Sequence, residues 1–217
     1  MRRDGINIRV VLALVALVVV AGVIALVTTS GSSGTKTKST ASAAREGYHA
    51  EALLSPATQA PPIALRNYLG QPVNIDEYRG KAVLVTFLYT NCPDICPLIT
   101  SNLRVAQNVM GPKTASKVQI IAVSVDPKGD TRKAVAAFLA RHEMTGRMQY
   151  LTGDAHELAR VWKAWGVGSE RDAQQPQFIN HSGLIYGITA SGERTTLYSA
   201  SFKPADIAHD VPLLAEH

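Results

Sequence analysis

An apolar run, Ala82-Val83-Leu84-Val85-Thr86-Phe87-Leu88-Tyr89, ends three positions before the first of the only two cysteines of the chain, Cys92 and Cys96. A short run without polar alternation reads as a strand buried on both faces, as at the centre of a parallel sheet. Pro97 to Met110 reads as a helix, with Leu98, Leu103, Val105 and Val109 as an imperfect apolar face and Gly111-Pro112 as its stop. A strand that turns directly into a helix commits the chain to a sheet with helices packed on it. The turn itself holds Thr90-Asn91-Cys92-Pro93-Asp94-Ile95-Cys96-Pro97.

The rest of the domain fits that architecture. Residues 55–62, rich in Pro and Ala, read as an extended lead-in, and 61–65 with 72–75 as a small hairpin around Gly70-Gln71. A second apolar run, Val118 to Val125, is the next central strand. Thr131 to Arg141 is a helix with Val135, Phe138 and Leu139 on one face. Asp154 and Glu157 form a capping box for a helix whose Leu158, Val161, Trp162 and Trp165 make a core stripe. Ser182–Thr189 and Arg194–Ser199 alternate and form a hairpin, and Lys203-Pro204-Ala205 opens a last helix. The order reads β-α-β-α, an extra α, then β-β-α. This is an α/β fold with a mixed sheet and helices on both faces.

Ahead of the domain, Val10 to Val27 is an uncharged apolar stretch of eighteen residues. At ~1.5 Å per residue it spans ~27 Å, close to a bilayer core. Arg2, Arg3 and Arg9 precede it, so the positive-inside rule puts residues 1–9 in the cytoplasm. We read 10–27 as an uncleaved transmembrane signal anchor, since a cleaved leader has a shorter apolar core and Ala41-Ser42-Ala43 lies far beyond the run. Residues 28–47, with little to bury, form a flexible linker. The domain 48–217 then lies outside the cell membrane as the extracytoplasmic part of a single-pass protein. The net charge of +5 includes the N-terminal cluster, and no basic run is interleaved with aromatics. Nothing therefore points to nucleic acid.

The cysteines are spaced C-x-x-x-C and sit in the first turn of a helix, on one side. Free N–H groups and the positive end of the helix are expected to lower their pKa. Two thiolates suit Cu(I), or they can cycle between dithiol and disulfide. A purely structural disulfide would close a very small loop and stabilise little. Cu(II) or zinc needs a further donor. Of the histidines, His49, His142, His156, His181, His209 and His217, the one at the start of the hairpin, His181, stands where loops approach the strand-helix turn. His142 and His156 read as surface residues.

The run Leu84 to Pro97, the segment Val125-Asp126-Pro127-Lys128-Gly129-Asp130-Thr131, the pair His181-Ser182 and the lead-in Tyr78-Arg79-Gly80-Lys81 together resemble the Sco/SenC family. The resemblance covers roughly residues 60–210. It implies a thioredoxin-like fold and one copper ion held by Cys92, Cys96 and His181. It also implies a metallochaperone role in assembling the binuclear copper centre of cytochrome c oxidase. The partners would be the copper-bearing oxidase subunit and an upstream copper donor or thiol reductant. Asn180 stands where an acid often precedes the histidine, and Asp94 and Asp126 are candidates for the shell around the ligands. Other roles use the same residues: a thiol-disulfide oxidoreductase working through Cys92 and Cys96, a peroxide-reducing enzyme of the same fold, or a redox or copper sensor.

Overall fold

The computed structural model describes residues 47–171, 179–180 and 182–217. The segment 10–27 expected to be a transmembrane anchor, nearly all of the expected linker, and His181 lie outside these residues. Among the described residues, no helix is long and apolar enough to cross a membrane.

The elements, in chain order, are β1 (Ala52–Gln59), β2 (Ala64–Asn67), β3 (Pro72–Asn74), β4 (Ala82–Leu88), α1 (Ile95–Ala115), β5 (Val118–Ser124), α2 (Arg132–Arg141), β6 (Met148–Thr152), α3 (Ala155–Trp165), β7 (Glu170–Arg171), β8 (Ile179–Asn180), β9 (Ile185–Ile188), β10 (Glu193–Tyr198) and α4 (Pro204–Glu216). A 3₁₀ turn, Ile75–Tyr78, follows β3. The main sheet runs β1-β10-β9-β4-β5-β6-β2-β3, while β7 and β8 pair separately. Its centre, β4-β5-β6, is parallel, with Leu88 opposite Ser124 and Val123 opposite Leu151. The flanks are antiparallel. The sheet is therefore mixed, and β4 lies inside it with all seven residues buried.

Strand alternation sends neighbouring side chains to opposite faces. Phe87 and Tyr186 meet Trp165 of α3 on one face, with ring centroids 5.9 and 5.2 Å from the indole. On the other face, a Cβ built on Gly187 would lie 3.0 Å from Leu214 of α4. Helix α1 packs along α4, and the Asn102 amide donates to the Phe202 carbonyl at 3.4 Å. The far end of α2 reaches α1 through His142 and Ser101, 3.2 Å apart. Helices thus cover both faces.

Two strands go beyond the sequence reading. The extended lead-in read at 55–62 is part of an edge strand, residues 52–59, paired with β10, with the register broken between Leu53 and Thr58. The extra helix is preceded by β6, so α3 belongs to a full β-α repeat. The α1 face also differs from the expected one. Cys96, Ile99, Thr100, Leu103 and Ala106 are buried, whereas Leu98 and Val109 are 45% and 60% exposed. A small and a polar residue fill that face because the Thr100 hydroxyl satisfies itself on the Cys96 carbonyl at 2.7 Å. The expected stop is present: Gly111 has φ 72°, a backbone break ahead of Pro112. The capping box of Asp154 and Glu157 is formed as expected.

Candidate metal centre

Strand β4 ends at Leu88, and its last carbonyl takes the Val125 N–H at 2.9 Å, tying together the loops after β4 and β5. The cysteine turn grows from this junction. The Cys92 N–H donates to the Tyr89 carbonyl at 3.3 Å, and Asp94 caps α1 by accepting from the Ile95 N–H at 2.5 Å. Cys96 lies one turn beyond Cys92, and its N–H donates to the Cys92 sulfur at 3.4 Å. Both cysteines are thiols, Cys92 7% exposed and Cys96 fully buried.

The helix terminus does not lower both pKa values as the sequence suggested. The Cys96 thiol is pushed well up, first by its hydrogen bond to the Cys92 side chain and then by burial. The thiol proton of Cys96 is held tightly, because an anion in a dry site beside a second sulfur is costly. Tyr89 carries a further link. Its hydroxyl is bonded to the Cys92 side chain and accepts the Ile179 N–H at 3.3 Å, and burial raises its pKa to about 12.

Beneath the turn lies Asp130, which the sequence reading quoted but gave no role. Its carboxylate accepts the Thr90 N–H at 2.8 Å, the Ser124 hydroxyl at 2.6 Å and the Tyr150 hydroxyl at 2.8 Å. Burial nonetheless raises its pKa, against the lowering effect of those donors. One carboxylate thus fixes the backbone two residues before Cys92 to both central strands, β5 and β6. Asp126 is buried one loop away, and its N–H donates to Ser124 Oγ at 3.1 Å. Asp94 is the helix cap.

His181 lies outside the described residues, but both its flanks are placed. Ile179 meets the Tyr89 hydroxyl, and a Cβ on Gly183 would stand 3.2 Å from Ile95 and 3.3 Å from Ala200. His142 is half-buried: its ring lies tilted against Phe138 with centroids 4.7 Å apart, and burial lowers its pKa. His156 is exposed at the start of α3. His49 and His209 stack on each other at 3.7 Å, where the N-terminal segment meets α4. Among the described residues, no group of three or more His, Cys, Asp or Glu side chains converges to hold a metal. The two sulfurs form the described part of the centre.

The profile of the SCO1/SenC family matches residues 52–216. The chain belongs to the SCO1/SenC family. Among its relatives, the mitochondrial SCO2 homolog of Bos taurus is 29% identical over 171 residues, covering 77% of this chain and 64% of its own length. This chain thus spans less than two thirds of that relative. Bradyrhizobium japonicum ScoI, solved with copper bound, is 29% identical with a TM-score of 0.60, covering 72% of this chain and 99% of that one. Apo Sco1 of Thermus thermophilus superposes with a TM-score of 0.67 at 23% identity, covering 77% and 96%. At that identity it speaks for the fold, which is the thioredoxin-like Sco fold expected from the sequence.

Within this SCO1/SenC chain, Asp130 and Tyr89 are the residues that sequence reasoning left without a role. Asp130 had a signal, since an acid directly before the helix-capping Thr131 has no need to cap and is available to the core. The Tyr89 hydroxyl had none, because an aromatic at the end of a buried strand reads as packing.

Proposed function

We propose that this chain is a membrane-anchored copper carrier. It takes copper outside the cytoplasm on Cys92, Cys96 and His181 and passes it to the binuclear copper centre of cytochrome c oxidase. The observation that carries the reading is the contact between two buried sulfurs at the mouth of the central strand. Such a pair presents soft donors in a dry pocket, the setting that favours Cu(I). The fit is chemical as well as steric. Copper held by both sulfurs would displace the thiol protons of Cys92 and Cys96, so loading releases protons and strengthens as pH rises. The packing of both flanks of His181 on the cysteine elements supports the third ligand. Copper is cargo here, handed over by ligand exchange.

A thiol-disulfide role is the second reading, favoured by the unequal burial of the sulfurs. Cys92 is the one an incoming disulfide can reach, and Cys96 lies behind it as the resolving thiol. Three variants separate the readings. Under the carrier reading, His181→Ala loses the thiolate-to-Cu(II) absorption, still forms the Cys92–Cys96 disulfide, and fails in oxidase assembly nearly as badly as Cys92→Ser. Near-normal assembly in His181→Ala, with Cys92→Ser and Cys96→Ser inactive, would establish the reductant instead.

A further inference from the structure

Beside the cysteine turn lies an open groove of about 580 Å³. Asn91, the residue before Cys92, lines it together with Gly129 and Phe138, and so do Lys128 and Arg141. Both of these cations are exposed. Arg132 and Lys133, also exposed, occupy the first turn of α2, which contains no acid. Cations at that end oppose the helix macrodipole and cost local stability. None of the four has a carboxylate partner among the described residues. Of the acids nearby, Asp126 also lines the groove but is only 5% exposed, Asp130 is buried, Asp94 caps α1, and Glu143 pairs with Arg104 at 3.6 Å.

We propose that the groove lined by Lys128 and Arg141 is the docking surface for a protein partner whose own metal or thiol site is ringed by acidic residues. The inference rests on the carrier reading, since the partner is the protein that exchanges copper or electrons with Cys92 and Cys96. Unmatched cations gathered around the approach to a reactive pair find their counter-charge in what arrives. A concave groove beside the sulfurs fits a protruding acidic loop, whereas a lipid surface is flat and would leave it unfilled. Docking there brings the partner's ligands alongside Cys92, the more accessible sulfur.

The test uses the full-length chain in phosphatidylcholine nanodiscs, with an oligoglutamate peptide as the probe. Amide NMR should show the peptide shifting Thr90–Asn91 and residues 126–141, with affinity falling about tenfold or more between low and physiological salt. Lys128→Glu combined with Arg141→Glu should slow association by about tenfold or more. Lys113→Glu combined with Lys117→Glu, the same charge change at the other end of α1, should leave it nearly unchanged. Equal losses in the two double variants would reduce the effect to net charge and overturn the proposal. Shifts elsewhere on the domain would do the same. So would protection of these residues by phosphatidylglycerol nanodiscs in preference to the peptide. Copper loading of the same samples keeps the two readings apart. A wild-type chain that binds the peptide but takes no copper sinks the carrier reading and leaves the surface standing, and the reverse result sinks the surface alone.

Discussion

Two buried carboxylates stand at different places in the fold and are built almost alike. Asp130 accepts the Tyr150 hydroxyl and the Thr90 N–H, each at 2.8 Å, and Asp210 accepts the Tyr198 hydroxyl and the His49 N–H, each at 2.8 Å. They differ in the third partner. Asp130 takes a buried Ser124 hydroxyl, while Asp210 takes His209, a half-exposed imidazole at 2.9 Å. The first network is closed to water and anchors the cysteine turn. The second opens toward solvent and fastens the N-terminal segment onto α4. The same side chain holds a reactive turn still in one place and makes a mechanical joint in the other, because the surroundings decide whether water can replace a lost partner.

The comparison can be broken most forcefully at Asp130. Asp130→Ala strands three buried donors at about 1–3 kcal/mol each before relaxation, so we expect a loss of about 3–4 kcal/mol in thermal unfolding. Maleimide labelling of Cys92 should change as Thr90 is released. A variant of wild-type stability, with unchanged labelling, would show that the carboxylate does not hold the turn. Asp210→Ala should cost less, about 2 kcal/mol, since only the Tyr198 hydroxyl is left buried without an acceptor. Hydrogen exchange at the His49–Glu51 amides should accelerate while cysteine labelling stays as in wild type. Altered labelling there would mean that the two networks are coupled.

The smallest effect is a pH trend. Burial raises the Asp130 pKa above its ordinary value of 3.8, so the folded state holds that proton more tightly than the unfolded state. The group's contribution is then greatest below pH 3.8 and is lost as pH rises through the folded pKa. Asparagine mimics the protonated acid and does not titrate. The stability of wild type minus that of Asp130→Asn should therefore fall as pH rises from acid to neutral. A difference that grows toward neutral pH would mean that the charged form is the stabilised one.

The same contrast explains what could be read from the sequence. The strands β4 and β5 were legible because both of their faces are buried and their residues are mostly apolar over seven positions each. The start of α3 was legible from Asp154 and Glu157, since capping is chemistry between near neighbours. Strand β6 escaped because its five residues include Gln149 and are too few to establish a period. β1 escaped because Ser55-Pro56-Ala57-Thr58 has no apolar alternation; an edge strand answers to its partner's backbone more than to a core. The cysteines announced themselves by rarity and spacing. The support beneath them, which joins Asp130 to Tyr150 and Tyr89 to Ile179 across twenty and ninety residues, depends on tertiary proximity that no local pattern records.

The edges of the sheet carry a last consequence. One edge, β3, is three residues long and opens on Pro72, which has no N–H to offer. The other, β1, holds Pro56 in its middle and breaks register between Leu53 and Thr58. A neighbouring copy that tried to extend the sheet would find no continuous ladder on either side. Crowding many copies together therefore need not end in strand-to-strand polymerisation: the central strands that make the domain rigid are fenced by two that make poor templates.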